Sequence, residues 1–63
     1  MSRQERADAL YEISSGLEIY AKDLRKLGGD YERFGDMVMD VAADCARDCE
    51  EIEQAIAASP LAV

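Results

Sequence analysis

The sequence predicts an all-α fold: an antiparallel helical hairpin of two long helices, pairing with a second copy into a dimeric four-helix bundle. Three observations predict it. Leu10, Ile13, Leu17, Tyr20, Leu24 and Leu27 recur at alternating steps of three and four, the spacing of helices packed along a shallow seam. Gly28-Gly29-Asp30 then interrupts the pattern before a second apolar row begins at Tyr31. Finally, a chain of 63 residues is close to the size at which a lone core is marginal. Two helices touching along one seam leave apolar surface that a companion chain, most simply a second copy, would cover.

The whole chain, residues 1–63, reads as one helical-hairpin domain, with helix 1 over about 3–27, a turn at 28–30, helix 2 over about 31–58 and a tail at 59–63. Ser2 can cap the first helix, with Glu5 three residues on completing a capping box. Gly28 and Gly29 supply the left-handed conformation that ends helices. Lys22, Arg25 and Lys26 suit the negative end of the helix dipole. A connection this short forces the helices antiparallel. Asp30 is positioned to cap the second helix and Glu32 lies in its first turn. An alternative boundary runs the loop on to Gly35, with Asp36 as the cap.

The second apolar row reads Tyr31, Phe34, Val38, Val41, Cys45, then Cys49, Ile52 and Ile56. The extra step at Cys45–Cys49 is a stutter, which predicts local unwinding of a left-handed supercoil. A strict heptad would instead place Asp48 in the core. Gly16 and Gly35 fall inside the predicted helices, where each costs about 1 kcal/mol against alanine, and close helix approach at both explains them. The second helix is expected to fray around Ala58–Ser59, before Pro60. The tail Pro60-Leu61-Ala62-Val63 is expected to be mobile unless its apolar residues dock on the bundle.

The net charge of −7 is uneven. Residues 1–29 carry five basic and five acidic side chains, and residues 30–63 carry two and nine. Such a balance opposes direct binding to nucleic acid or to anionic membrane and favours a basic protein target. Asp36, Asp40, Asp44 and Asp48 stand one helical turn apart. Neighbouring carboxylates on this ladder are about 6 Å apart and repel by a few tenths of a kcal/mol per pair. Either the ladder is a solvated face or it is built to meet cations. In a hairpin centred near Gly29, facing residue numbers sum to about 58. This sets Asp36 near Lys22 and Glu32 near Lys26, while Asp40, Asp44 and Asp48 face Glu18, Ser14 and Leu10. The expected partner-binding acidic band is therefore Asp36, Asp40, Asp44, Asp48 and Glu51. Tyr11, Ile19 and Met39 lie off the seam as candidate apolar contacts, or as a second packing layer. The dimer and core seam is expected to comprise Leu10, Ile13, Leu17, Tyr20, Leu24, Leu27, Phe34, Val38, Val41, Cys45, Cys49 and Ile52.

No catalytic constellation is legible. Histidine, the commonest general base and metal ligand, is missing, and no phosphate loop, nucleophile elbow or metalloprotease motif occurs. Cys45 and Cys49, one turn apart, supply at most half a zinc site. They read better as small core-facing residues at a tight crossing. No disulfide framework, signal peptide or transmembrane span is expected, and a reducing, cytoplasmic setting is.

In plan, the length, helix–turn–helix organisation, small core and opening Ser2-Arg3-Gln4-Glu5-Arg6 resemble the Rop family of plasmid RNA-binding proteins. RNA binding in that family runs through a basic and aromatic face of the first helix with a central phenylalanine. The corresponding position here is Ser14, followed by Glu18, so RNA binding is not carried over. The expected function is that of a small acidic, non-catalytic regulatory or inhibitory protein. It would occupy a basic, nucleic-acid-binding groove of a target, as phage-type inhibitors do, with no cofactor and no metal. The alternative is a structural adaptor or chaperone-like module that lends a helical face to a larger complex.

Overall fold

The computed structural model describes residues 1–58 and contains two helices, α1 (Arg3–Leu27) and α2 (Asp30–Ala58), packed against each other as a hairpin. The expectations for Ser59 and for the tail at 59–63 lie outside the described residues.

Helix α1 opens as its first residues dictate. The Ser2 hydroxyl accepts from the Glu5 amide at 3.1 Å, and the Glu5 carboxylate accepts from the Ser2 amide at 3.1 Å. These reciprocal bonds satisfy two amides that the helix itself cannot. The same bond from the Ser2 backbone, and then the Ser2 hydroxyl, hold the Glu5 carboxyl below its ordinary value of 4.5. The helix ends at two successive positive-φ glycines, Gly28 at 73° and Gly29 at 57°, a conformation that a Cβ disfavours. The Gly28 amide donates to the Arg25 carbonyl, and the Tyr31 and Glu32 amides donate to the carbonyls of Gly28 and Gly29.

Two boundary expectations change here. Asp30 is the first residue of α2 rather than a cap ahead of it, because the glycine carbonyls already take the opening amides. Gly35 and Asp36 lie inside α2, which removes the longer-loop alternative.

The contact between the helices is made by small side chains. The buried residues are Ala7, Ser14 and Ala21 on α1 and Gly35, Ala42 and Cys49 on α2. Each row is spaced by seven, and no large side chain is fully buried among the described residues. Two cross-helix contacts fix the register. The Ser14 hydroxyl donates to the Ala42 carbonyl at 3.0 Å, and a Cβ at Gly35 would stand 2.9 Å from the Ala21 carbonyl oxygen. Both pairs of numbers sum to 56, slightly below the expected value.

The expected ion pair is also corrected. Asp36 is met by Arg25, not Lys22: Arg25 Nε lies 3.1 Å from Asp36 Oδ1, and Nη2 donates to the same oxygen. The reason is steric. Gly35 lacks a Cβ, so the Arg25 stem crosses α2 there, with its Cγ 2.8 Å from where that Cβ would be, and the guanidinium reaches the next residue. The pair is about half exposed, so it contributes about 0.2–1 kcal/mol.

The expected stutter at Cys45–Cys49 also reads differently. The buried row on α2 keeps its seven-residue spacing through Gly35, Ala42 and Cys49, so the packing does not change phase. The flanking row also keeps its spacing through Val38, Cys45 and Ile52, and the extra step arises because Asp48 takes the marginal position that Phe34 and Val41 hold, leaving buried Cys49 as the next apolar residue.

Two measurements check this packing. Close helix approach, expected at both interior glycines, holds at Gly35 and not at exposed Gly16: a methyl group added at Gly16 would meet nothing within 4 Å, whereas one at Gly35 would meet Arg25 and Ala21. Gly16→Ala should therefore stabilise by about 0.5–1 kcal/mol, and Gly35→Ala should destabilise by about 1–3 kcal/mol despite its better helix propensity. Chemical denaturation of both variants reads the sign. The capping box makes a second prediction. Because the folded Glu5 carboxyl is lowered, its contribution is complete above the unfolded value and is lost as pH falls through the folded one. The Glu5 amide shift should follow that acid-side titration by NMR, and Ser2→Ala, which removes the hydroxyl but keeps the backbone bond, should raise the carboxyl part of the way towards its ordinary value. Unchanged titration in Ser2→Ala would refute the assignment.

Candidate protein-interaction surfaces

One side of the hairpin is apolar and open. Leu10, Leu17 and Leu24 follow the buried residues of α1 by three positions, and Val38, Cys45 and Ile52 follow those of α2 in the same way. A step of three turns a side chain about 60° back around the helix. In an antiparallel pair this brings both rows to the same side of the contact, where all six are half-buried. Another three residues on lie Ile13, Tyr20 and Leu27 on α1 and Val41 on α2, with Phe34 six residues after Gly28. All five are exposed, from 49% at Phe34 to 68% at Leu27. Near the turn, the Tyr31 and Phe34 rings pack at a centroid distance of 6.0 Å and a tilt of 58°, a geometry worth about 0.5–1.5 kcal/mol.

The expected seam is thus divided by the structure. Only Cys49 is buried in the hairpin. Leu10, Leu17, Leu24, Val38, Cys45 and Ile52 line its open face, and Ile13, Tyr20, Leu27, Phe34 and Val41 stand on the margins. The small residues that make the hairpin contact carry a signal that a search for large apolar residues passes over. Every seventh residue from Ala7 to Cys49 is Ala, Ser, Ala, Gly, Gly, Ala, Cys.

The open face ends in charge. At the end away from the turn, Arg3 and Arg6 of α1 and Asp48 and Glu51 of α2 line one shallow depression with Ile52 and Ala55. Among the described residues none of these four charges makes an ion pair.

The aspartate ladder crosses the outer surface of α2. Asp36 directly follows buried Gly35, on the side opposite the open face, and Asp48 lies on the margin of the open face. Two rungs are occupied: Asp36 by Arg25, and Asp44 by Arg47, whose Nη2 donates to Oδ1 at 2.7 Å. Asp40, Asp48 and Glu51 make no ion pair among the described residues.

The off-seam apolar residues do not form one patch. Met39 is half-buried in a small cleft with Ser14, Glu18, Ala42, Ala43 and Ala46, on the side opposite the open face. Tyr11 is exposed and follows buried Ala7 by four, which turns it towards that same side. Ile19 is exposed as well and lies about 80° around α1 from Tyr11.

Both cysteines are free thiols, Cys49 buried and Cys45 half-buried. Burial pushes the Cys49 thiol up, and the Glu53 carboxylate adds to the effect. Among the described residues no three of His, Cys, Asp and Glu group as a metal site, and no helix is long and apolar enough to cross a membrane. No family model, curated protein or solved structure matches the chain.

Thiol reactivity follows from this placement, since the thiolate is the reactive form and must be reached. Brief alkylation of the folded protein should modify Cys45 before Cys49, with peptide mass spectrometry giving the order. Faster labelling of Cys49 would contradict its position in the helix contact.

Proposed function

We propose that this chain is a non-catalytic regulatory or inhibitory protein that acts by protein–protein contact, as a homodimeric four-helix bundle whose acidic α2 surface meets a basic surface on its target. One observation carries the reading: among the described residues the hairpin buries only small residues and displays its large apolar ones. Contiguous apolar surface of this kind marks association sites. Closing two open faces on each other turns the acidic outer surface of α2 towards solvent twice per dimer. The basic surfaces that such a band fits include nucleic-acid-binding grooves. The two free thiols support a reducing, cytoplasmic setting.

A second reading is favoured by a specific observation. Asp36 and Asp44 are already engaged by Arg25 and Arg47, which weakens the ladder as a charged band. An adaptor lending a helical face to a larger complex would depend instead on exposed apolar residues such as Tyr11.

Light scattering should give about twice the 7.0 kDa chain mass at micromolar concentration; a stably folded monomer there overturns the dimer reading. Immobilised wild type and the double variant Asp40→Asn with Asp44→Asn should differ in the proteins captured from cell extract. The variant should lose most of them with unchanged helicity by circular dichroism, and raised salt should mimic it. Capture that is unchanged by the double variant and by salt but lost in Tyr11→Ala would select the adaptor.

A further inference from the structure

We infer that two copies close their open faces with both turns at the same end, so that α1 of each lies on α2 of the other and Arg3 and Arg6 meet Asp48 and Glu51 of the partner subunit. The inference rests on the homodimer reading and specifies its geometry.

Two aligned face-to-face arrangements have two-fold symmetry. With the axis along the helices, the turns lie together and α1 stacks on the partner's α2. With the axis across the helices, the turns lie apart, and each helix stacks on its own copy.

The charges distinguish them. Within one hairpin, facing residue numbers on the open face sum to slightly below the 56 of the buried contact, so Arg6 stands level with Asp48, and Arg3 with Ile52. With turns together, each level faces itself. Arg3 and Arg6 then sit over Asp48 and Glu51 of the partner subunit, and this pairing occurs twice. Among the described residues all four side chains lack an ion-pair partner in the single hairpin. The apolar levels meet in the same way: Leu10 with Cys45, Leu17 with Val38, and Leu24 with Tyr31 each stack on their own copies.

With turns apart and the axis through the middle of the hairpin, the charged end lands on the turn end. Arg3 and Arg6 then face Leu27 and Leu24 of the partner subunit, and Asp48 and Glu51 face its Phe34 and Tyr31. Each of these charges would be desolvated against an apolar group, which is unfavourable without a counter-charge. That arrangement also stacks α2 on α2, and residues 30–63 carry the entire −7 excess. Turns together instead stack that half on residues 1–29, whose charges balance.

The face is large enough for the purpose. Helix α1 is about 37 Å long and two helices side by side are about 20 Å across, so the face covers about 700 Å². A standard interface takes about 800 Å² from each partner.

Spin labels at Gln54→Cys, in a background carrying Cys45→Ala and Cys49→Ala, read the orientation of the full chain. Turns together put the labels within about 30 Å of each other, and turns apart put them beyond about 40 Å. A dimer by light scattering with the long distance overturns this inference and leaves the homodimer reading standing, whereas a folded monomer overturns both. Charge reversal gives an independent test. Arg3→Glu with Arg6→Glu should raise the dimer dissociation constant at least tenfold, as should Asp48→Lys with Glu51→Lys. All four together should restore it, and the two double variants, when mixed, should pair preferentially with each other. Failure of rescue in the folded four-fold variant, with no preferred pairing in the mixture, would sink the arrangement.

Discussion

Everything in this molecule depends on how closely its two helices approach. Ala7, Ser14 and Ala21 face Gly35, Ala42 and Cys49, and side chains this small allow the backbones to come near enough for a serine hydroxyl to reach a carbonyl of the other helix. Such closeness has a consequence for the larger residues. Leucine or phenylalanine cannot fit between the helices, so the apolar volume of the chain is displaced to one side of the contact. The hairpin is held by its small residues and displays its large ones.

The same geometry sorts the charges. Asp36 is neutralised locally because the glycine beside it lets an arginine stem cross. Asp44 is answered from its own helix by Arg47. Among the described residues the open end keeps two positive and two negative side chains unpaired around one depression, on the same side as the uncovered leucines. An arrangement of opposite charges bordering an apolar face matches a copy of itself, and the proposed self-association would account for more of the surface than the aspartate ladder taken alone.

Much of the fold was legible in the sequence. Ser2 and Glu5 announced the start of α1, Gly28-Gly29 its end, and alternating three–four spacing the helices themselves. These signals are local, and the backbone obeys them wherever the helices later pack. The helix contact was not read, because reasoning from periodicity weighs large apolar residues, and here those residues mark the open face. Of the two cysteines expected at a tight crossing, Cys49 is buried in the helix contact and Cys45 is half-buried on the open face. Arg25 was missed as the partner of Asp36, since facing-residue arithmetic does not show that the missing Cβ of Gly35 lets a long side chain cross α2 to reach the next residue. Tyr11 and Ile19, both read as off the seam, stand about 80° apart around α1, enough to face different neighbours.

A contact made of alanine and glycine repeated every seven residues is nearly smooth, and its periodicity makes it degenerate. Sliding one helix along the other by one heptad would set small residues on small residues again at little cost in packing. The Ser14 hydroxyl on the Ala42 carbonyl and the Arg25 stem lodged over Gly35 are the directional contacts that tell one alignment from the next. Together with the two-glycine bend, they act as a detent against axial slip, so this serine does more to select the native alignment than its modest contribution to stability suggests.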